Sequence, residues 1–169
     1  MKIPQLETAR LRMRAFRNDH LDAYAAMCAD PEVMKYIGPG ATQTRGEAWR
    51  AMASMLGHWE LRGFGMWALE RKDTGELVGR AGFIEPEGWP GFELGWLLGR
   101  PHWGHGYASE AARAALHWAR TALGRDRVIS LIRPGNKRSV KVATGLGHVL
   151  AGDTKLFGRK VLVYEWRAT

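Results

Sequence analysis

The stretch from Gly95 to Ala112, G-W-L-L-G-R-P-H-W-G-H-G-Y-A-S-E-A-A, holds the residues whose types and spacing point to chemistry. An apolar run enters a loop with Gly104 and Gly106, and the small residues Ala108 and Ser109 then open a helical pattern. The first amides of a helix have no partner within it, and with the helix dipole they make a ready anion site. Glycines let a phosphate come close to those amides, because no side chain intervenes. The segment therefore reads as a diphosphate cradle. The plainer reading is a tight turn that needs two glycines, and Gly-x-Gly before a helix does not by itself decide between them.

Just upstream stands Glu93. On a strand it shares a face with Gly95, Leu97 and Gly99, opposite Phe92, Leu94, Trp96 and Leu98. A carboxylate on a face cleared by glycines has room for substrate or water, and Trp and Leu neighbours raise its pKa toward the range of a general base. The alternatives are an exposed acid at a strand end or an ion-pair partner of an arginine. Asn136 suits a turn or a helix cap in any fold. Arg100, Lys137, Arg138 and Lys141 either hold phosphates or form a solvated face. His102 and His105 flank the glycines without a neighbouring Cys or a His-x₃-His spacing, so no metal site is expected. Cys28, on a helical pattern, reads as a small buried residue rather than a nucleophile.

Periodicity supplies the elements that must position these groups. Thr8 to Phe16 alternates arginines with apolar residues, as a half-buried strand does. Asn18 or Asp19 can cap a helix through Leu21, Tyr24, Ala25 and Cys28 that stops before Pro31. A second helix runs from Thr44 to near Gly63. Met66 to Glu70 and Leu77 to Ile84 form a hairpin around Asp73-Thr74-Gly75. Phe92 to Gly99 is a strand, Ser109 to Leu123 a helix, and Arg127 to Ile132 a further strand. Ser139 to Leu146 is a short helix, and Val149 to Phe157 with Lys160 to Trp166 a terminal hairpin. The order β-α-α-β-β-β-α-β-α-β-β indicates an α+β fold, a mixed sheet with helices packed on it.

Composition bounds the rest. The 169 residues make one domain, 1–169, and 46% hydrophobic with 25% charged residues excludes a disordered chain. One cysteine excludes an internal disulfide. Apolar runs fall short of a membrane helix, and the N-terminal M-K-I-P-Q-L-E-T-A-R has charges where a signal peptide is apolar, so a cytoplasmic protein is expected. A net charge of +8 attracts polyanions without naming which.

Beyond these readings, W-L-L-G-R-P-H-W-G-H-G-Y-A-S-E-A resembles the acetyl-CoA-binding segment of the GNAT acetyltransferases, most closely the branch with the ribosomal-protein N-terminal acetyltransferases. The similarity extends to L-E-T-A-R-L-R-M-R-A-F, D-T-G-E-L-V-G-R-A-G-F and P-G-N-K-R-S-V-K-V-A-T-G-L-G. The superfamily signature places Arg or Gln where this chain has Trp103, followed by Gly104, His105, Gly106, Tyr107 and Ala108. The resemblance implies the acyl-CoA N-acyltransferase fold, a twisted, mostly antiparallel sheet with helices on both faces and its fourth strand splayed from its fifth. It implies a diphosphate on Trp103 to Ser109 and a pantetheine arm bonded to the backbone around Leu97, Leu98 and Gly99. It also implies Asn136 and Ser139 along the pantetheine and thioester, and Glu93 as the base, through water, for an attacking amine. No Tyr lies between Tyr107 and Tyr164, so Ser139 or a bound water stands in as proton donor to the thiolate. His148 sits where the family usually has Phe.

The implied partner is an amine acceptor, either a protein N-terminus or a small molecule, taken by segments 30–62 and 85–91. Trp49, Trp59, Trp67 and Trp89 are candidates to line that pocket or to fill the core. A homodimer stays open; a membrane or nucleic-acid partner is not expected. One rival is a nicotinamide oxidoreductase, hinted at by Gly104, Gly106 and Asp126, but Ser109 stands where that fingerprint wants Gly or Ala, and repeated β-α-β units are lacking. The other is a nucleic-acid-binding module, supported by charge alone. With no nucleophile in the motif region, transfer is direct, so initial-rate lines against the two substrates should intersect. Isolation of a kinetically competent acetylated Cys28 or Ser139 would overturn that expectation.

Overall fold

The computed structural model describes residues 3–168; Met1, Lys2 and Thr169, counted in the expected domain, lie outside the described residues. The strands are β1 (Leu6–Glu7), β2 (Leu11–Arg14), β3 (Met66–Arg71), β4 (Leu77–Ile84), β5 (Glu93–Leu98), β6 (Arg127–Ile132), β7 (Val149–Leu156) and β8 (Arg159–Arg167). The helices are α1 (Leu21–Ala29), α2 (Pro31–Met34), α3 (Arg45–Arg62), α4 (Tyr107–Leu123) and α5 (Lys137–Gly145). The described strands form one sheet in the order β1-β2-β3-β4-β5-β6-β8-β7. Its neighbours pair antiparallel except β5 with β6.

Period-two alternation sorts the side chains into two layers. Trp67, Leu69, Leu94 and Leu98 face α4, joining Ala111, Ala112, Ala115 and Leu116 in one core cluster. Ala68 and Leu97 face the other way, onto Tyr24, Cys28, Val33 and Met52 of α1, α2 and α3. The alanine stripe lets α4 lie close to the sheet. Thr44 and Glu47 close a capping box at the start of α3, and Gly63 ends it at φ +77. No described helix is long and apolar enough to cross a membrane.

Local chemistry changes several expected boundaries. Of the strand expected over Thr8 to Phe16 only Leu11–Arg14 (β2) forms; Leu6–Glu7 (β1), before it, folds back on it through a turn in which the Thr8 hydroxyl accepts from Leu11 N (2.9 Å). Neither Asn18 nor Asp19 caps α1. Asn18–His20 is a 3₁₀ turn in which His20 Nδ1 accepts from Arg17 N (3.1 Å), while Nε2 meets buried Glu70 (2.8 Å). Helix α4 starts at Tyr107 rather than Ser109, since left-handed Gly106 (φ +81) is its N-cap. Asn136 caps α5, so that helix also begins earlier than expected.

The parallel pair β5–β6 meets at one register position, Glu93 opposite Ile129. Ile129 N donates to Phe92 O (3.0 Å) and Ser130 Oγ to Leu94 O (2.8 Å), and beyond these the strands part. The parting opens the sheet where β5 runs into α4.

His148 takes a buried position with both ring nitrogens unpartnered, and burial holds its imidazole down at about 4. Folding therefore favours the neutral ring. Stability is complete above about pH 6.5 and drains away as the pH falls toward 4, by up to about 3 kcal/mol. In His148→Phe the melting temperature should fall less than wild type between pH 7.5 and pH 4.5, as calorimetry at both values would show.

Candidate active site

Gly104 and Gly106 both hold left-handed backbone, at φ +80 and +81, so the turn itself requires glycine. Open space surrounds Gly104, and the nearest atom to a Cβ on Gly106 would be Arg10 Nη2 at 3.5 Å. The first bond into α4 runs from Glu110 N to Gly106 O (3.0 Å), leaving Tyr107, Ala108 and Ser109 to present the free amides of a helix start. That start is tied down. Glu110 accepts from the Thr8 hydroxyl (2.6 Å), Arg10 N (2.8 Å) and Arg10 Nε (2.7 Å), and the Arg10 guanidinium lies 4.6 Å over the Tyr107 ring.

A cleft of about 490 Å³ opens on these amides. Of the residues expected at a cofactor, Leu97, Leu98, Trp103, Gly104, Gly106, Tyr107, Ala108, Ser109, Asn136 and Ser139 line it. Gly99 and His105 do not. Gly99 N is spent on Val78 O (3.0 Å), and a Cβ there would sit 3.1 Å from Met27, so the glycine serves packing. His105 stacks on Tyr107 instead. Trp103, the departure from the signature, donates from its indole N–H to Leu98 O (3.0 Å) and carries the Arg138 guanidinium 3.6 Å over its ring. Arg138 and Lys141 line the cleft, whereas Arg100 pairs with Asp30 (2.9 Å) and Lys137 lies outside the lining. A cationic rim, free helix amides and strands that part beside an apolar wall together fit an acyl-CoA.

A second cleft of about 260 Å³ continues from the first, and Tyr36, Ile37, Trp96, Asn136 and Ser139 line both. Glu93 lies in this second cleft and is buried rather than exposed. Its Oε2 accepts from Trp89 Nε1 (2.6 Å) and its Oε1 from Leu131 N (3.4 Å), taking a place in the backbone ladder where β6 leaves β5. Oε1 also lies 3.9 Å from where a Cβ on Gly95 would be, so that glycine leaves the carboxylate its room. Burial pushes the carboxyl up to about 7, while Trp89, Leu131 and then Arg80 pull against the rise. Asn136 holds Ser139 doubly: Oδ1 accepts from Ser139 N (3.3 Å) and Nδ2 donates to Ser139 Oγ (3.0 Å).

Of the four tryptophans considered for an acceptor pocket, Trp89 lines the second cleft, Trp59 and Trp67 are core, and Trp49 is exposed. Cys28 is fully buried and its thiol is pushed up by burial. Tyr36 falls in the segment 30–62 expected on the acceptor side, whereas sequence reasoning missed Arg133, Phe157 and Val161. Arg133 directly precedes the Pro134-Gly135-Asn136 turn, while Phe157 and Val161 come from the terminal hairpin, which no spacing signal links to the motif.

A family model for the acetyltransferase (GNAT) domain matches residues 10–149. The chain belongs to the GNAT acetyltransferases. It is 32% identical to the uncharacterised N-acetyltransferase p20 of Bacillus licheniformis over 166 residues, 94% of this chain and 92% of that one. An acetyltransferase from Agrobacterium tumefaciens superposes with a TM-score of 0.88 at 31% identity, covering 99% of this chain and 96% of that one. A ribosomal L7/L12 α-N-protein acetyltransferase solved with coenzyme A shares the fold, with a TM-score of 0.78 at 21% identity over 97% of this chain and 98% of that one. This GNAT protein is an acetyl-CoA-dependent acetyltransferase, and the oxidoreductase and nucleic-acid readings give way to that class.

A negative charge at the start of α4 suits the helix dipole but competes with any anion on the same amides. Ser109→Glu should leave the melting temperature unchanged or raised and weaken coenzyme A binding at least about tenfold in calorimetry. Unchanged affinity would move the diphosphate site elsewhere.

Proposed function

We propose that the protein moves the acetyl group of acetyl-CoA to a primary amine, of a protein N-terminus or a small molecule, by direct attack in a ternary complex in the cytoplasm. One domain would do this. The observation that carries the reading is the meeting of two clefts at Asn136 and Ser139, with Glu93 buried on the far side of the junction. The residues proposed to hold the cosubstrate are Trp103, Gly104, Gly106 and the amides of Tyr107 to Ser109, with Leu97 and Leu98 along the parted strands. Arg138 and Lys141 add charge at the rim. The cosubstrate supplies an acyl group already activated as a thioester.

The remaining work falls to the chain's own groups. An amine with a pKa near ~10.4 is almost wholly protonated at pH 7 and must lose a proton before it attacks. Glu93 takes that proton, directly or through a water, and its raised pKa places it close to the working pH, where a base is most effective. As the N–C bond forms the C–S bond breaks, and the departing thiolate needs a proton. Asn136 Nδ2 already donates to Ser139 Oγ, so the Ser139 hydroxyl hydrogen is free to turn toward the junction and pass to the sulfur while Oγ takes up the second proton that the acylated nitrogen sheds, directly or through a water.

Glu93→Gln keeps the shape and removes the base. kcat should fall by ~10²–10⁴ with coenzyme A affinity nearly unchanged, because the amides that hold the cofactor are untouched. The carboxylate forms as pH rises through about 7, so wild-type kcat/KM should climb across that value. The bend should vanish in the variant. Full activity at pH 7, or a wild-type profile flat from pH 6 to 8, would make Glu93 structural.

A further inference from the structure

The second cleft is lined by more arginines than carboxylates, although it must admit an amine. Arg80 and Arg133 line it, and Glu93 is the one carboxylate among its lining residues. Arg80 is fixed by the Tyr24 hydroxyl (3.1 Å) and Met66 Sδ (3.5 Å), neither of which neutralises it. Outside the lining, Arg159 approaches Arg133. Terminal nitrogens of Arg133 and Arg159 lie 3.3 and 3.7 Å from where a Cβ on Gly40 would sit, so the two guanidinium groups converge over that glycine. Among the described residues no carboxylate pairs with either one. Burial and then the charge of Arg159 hold Arg133 below its ordinary value, as expected for like charges that lack a counter-ion.

The rim at this point is built rather than incidental. Phe157 has φ +50, a left-handed backbone that a bulky residue rarely holds. Its ring meets Trp89, the donor to Glu93, at 6.1 Å. One turn thus brings an aromatic wall over Trp89 and, through Arg159 just beyond it, a cation to Arg133. A protonated polyamine would be repelled at every one of these arginines.

Building on the acetyltransferase reading, we propose that the acceptor is a primary amine that carries its own carboxylate, with the carboxylate seated on Arg133 and Arg159 and the amine turned inward to Glu93. Paired guanidinium groups suit a planar carboxylate, which offers two oxygens to their N–H donors. The anion would cancel the repulsion of the mouth, while Arg80 deeper in the cleft favours the neutral amine that attacks. A cleft of about 260 Å³, under the ~300–1,000 Å³ of drug-sized sites, admits an amine with one side chain of residue size. Two sources share this chemistry: a free α-amino acid, and a peptide N-terminus followed by acidic residues.

The test compares initial rates on matched pairs with acetyl-CoA. Phenylalanine, methionine and tryptophan are set against their carboxamides, the peptide Ser-Asp-Glu-Phe-amide against Ser-Ala-Ala-Phe-amide, and putrescine serves as the dication. In wild type, kcat/KM for the carboxylate-bearing member should exceed that of its neutral partner at least tenfold in one arm, and that arm identifies the source. In Arg133→Ala/Arg159→Ala the ratio should fall toward unity, mostly through KM. Equal rates within both arms, no turnover of any carboxylate-bearing acceptor, preference for putrescine, or an unchanged ratio in the double variant each overturn the proposal. Acetyl-CoA affinity, measured separately by calorimetry, tells the two levels apart. Loss of cofactor binding in wild type fails the acetyltransferase mechanism itself, whereas intact binding with no charge preference fails only the acceptor class.

Discussion

The parting of β5 from β6 is the constraint on which the rest of the site depends. Two parallel neighbours that stayed in register would satisfy each other's amides and carbonyls and leave no opening in the sheet. Here pairing stops after Glu93 and Ile129. The groups that continue the contact are side chains: Ser130 Oγ caps the Leu94 carbonyl, and the Glu93 carboxylate receives the Leu131 amide. Both clefts arise from this divergence. The same event that opens the sheet also draws a carboxylate into a buried position, and burial is the leading cause of its raised pKa.

An opening of this kind needs rigid walls, and the molecule builds them with polar ties from distant segments. Helix α4 is pinned at its first turn by Glu110, which gathers Thr8 and Arg10 from the turn between β1 and β2. A helix N-terminus presents fixed donors only if it does not fray. Trp103 plays a comparable part on the other side, spending its indole N–H on Leu98 O and its ring on Arg138. An aromatic residue at this position thus fixes both a strand carbonyl and a rim cation.

Charge is distributed by function across the two clefts. The larger one presents helix-start amides, Arg138 and Lys141, a pattern suited to phosphates. The smaller one sets a single buried carboxylate among arginines and aromatic rings. Of the 25 lysines and arginines, Arg80, Arg133, Arg138 and Lys141 line the two clefts, alongside the carboxylates Glu32 and Glu93.

The sequence by itself determined the elements and the motif. Alternation, a capping Thr44 and a closing Gly63 marked strands and helix ends, because those signals act within a few residues. The run from Gly95 to Ala112 marked a glycine-bounded helix start, and Glu93 stood out as the acid before it. Only the tertiary structure decided which glycines line the cleft. Gly104 and Gly106 lie on the cleft, while Gly99 is glycine because Met27 presses against it. The burial of Glu93 likewise rests on Trp89 from a loop and Leu131 from another strand, and neither partner follows from its own stretch of sequence. The second cleft was the least legible. Tyr36, Arg133 and the 157–159 turn come from separate segments of the chain, and only packing brings them together.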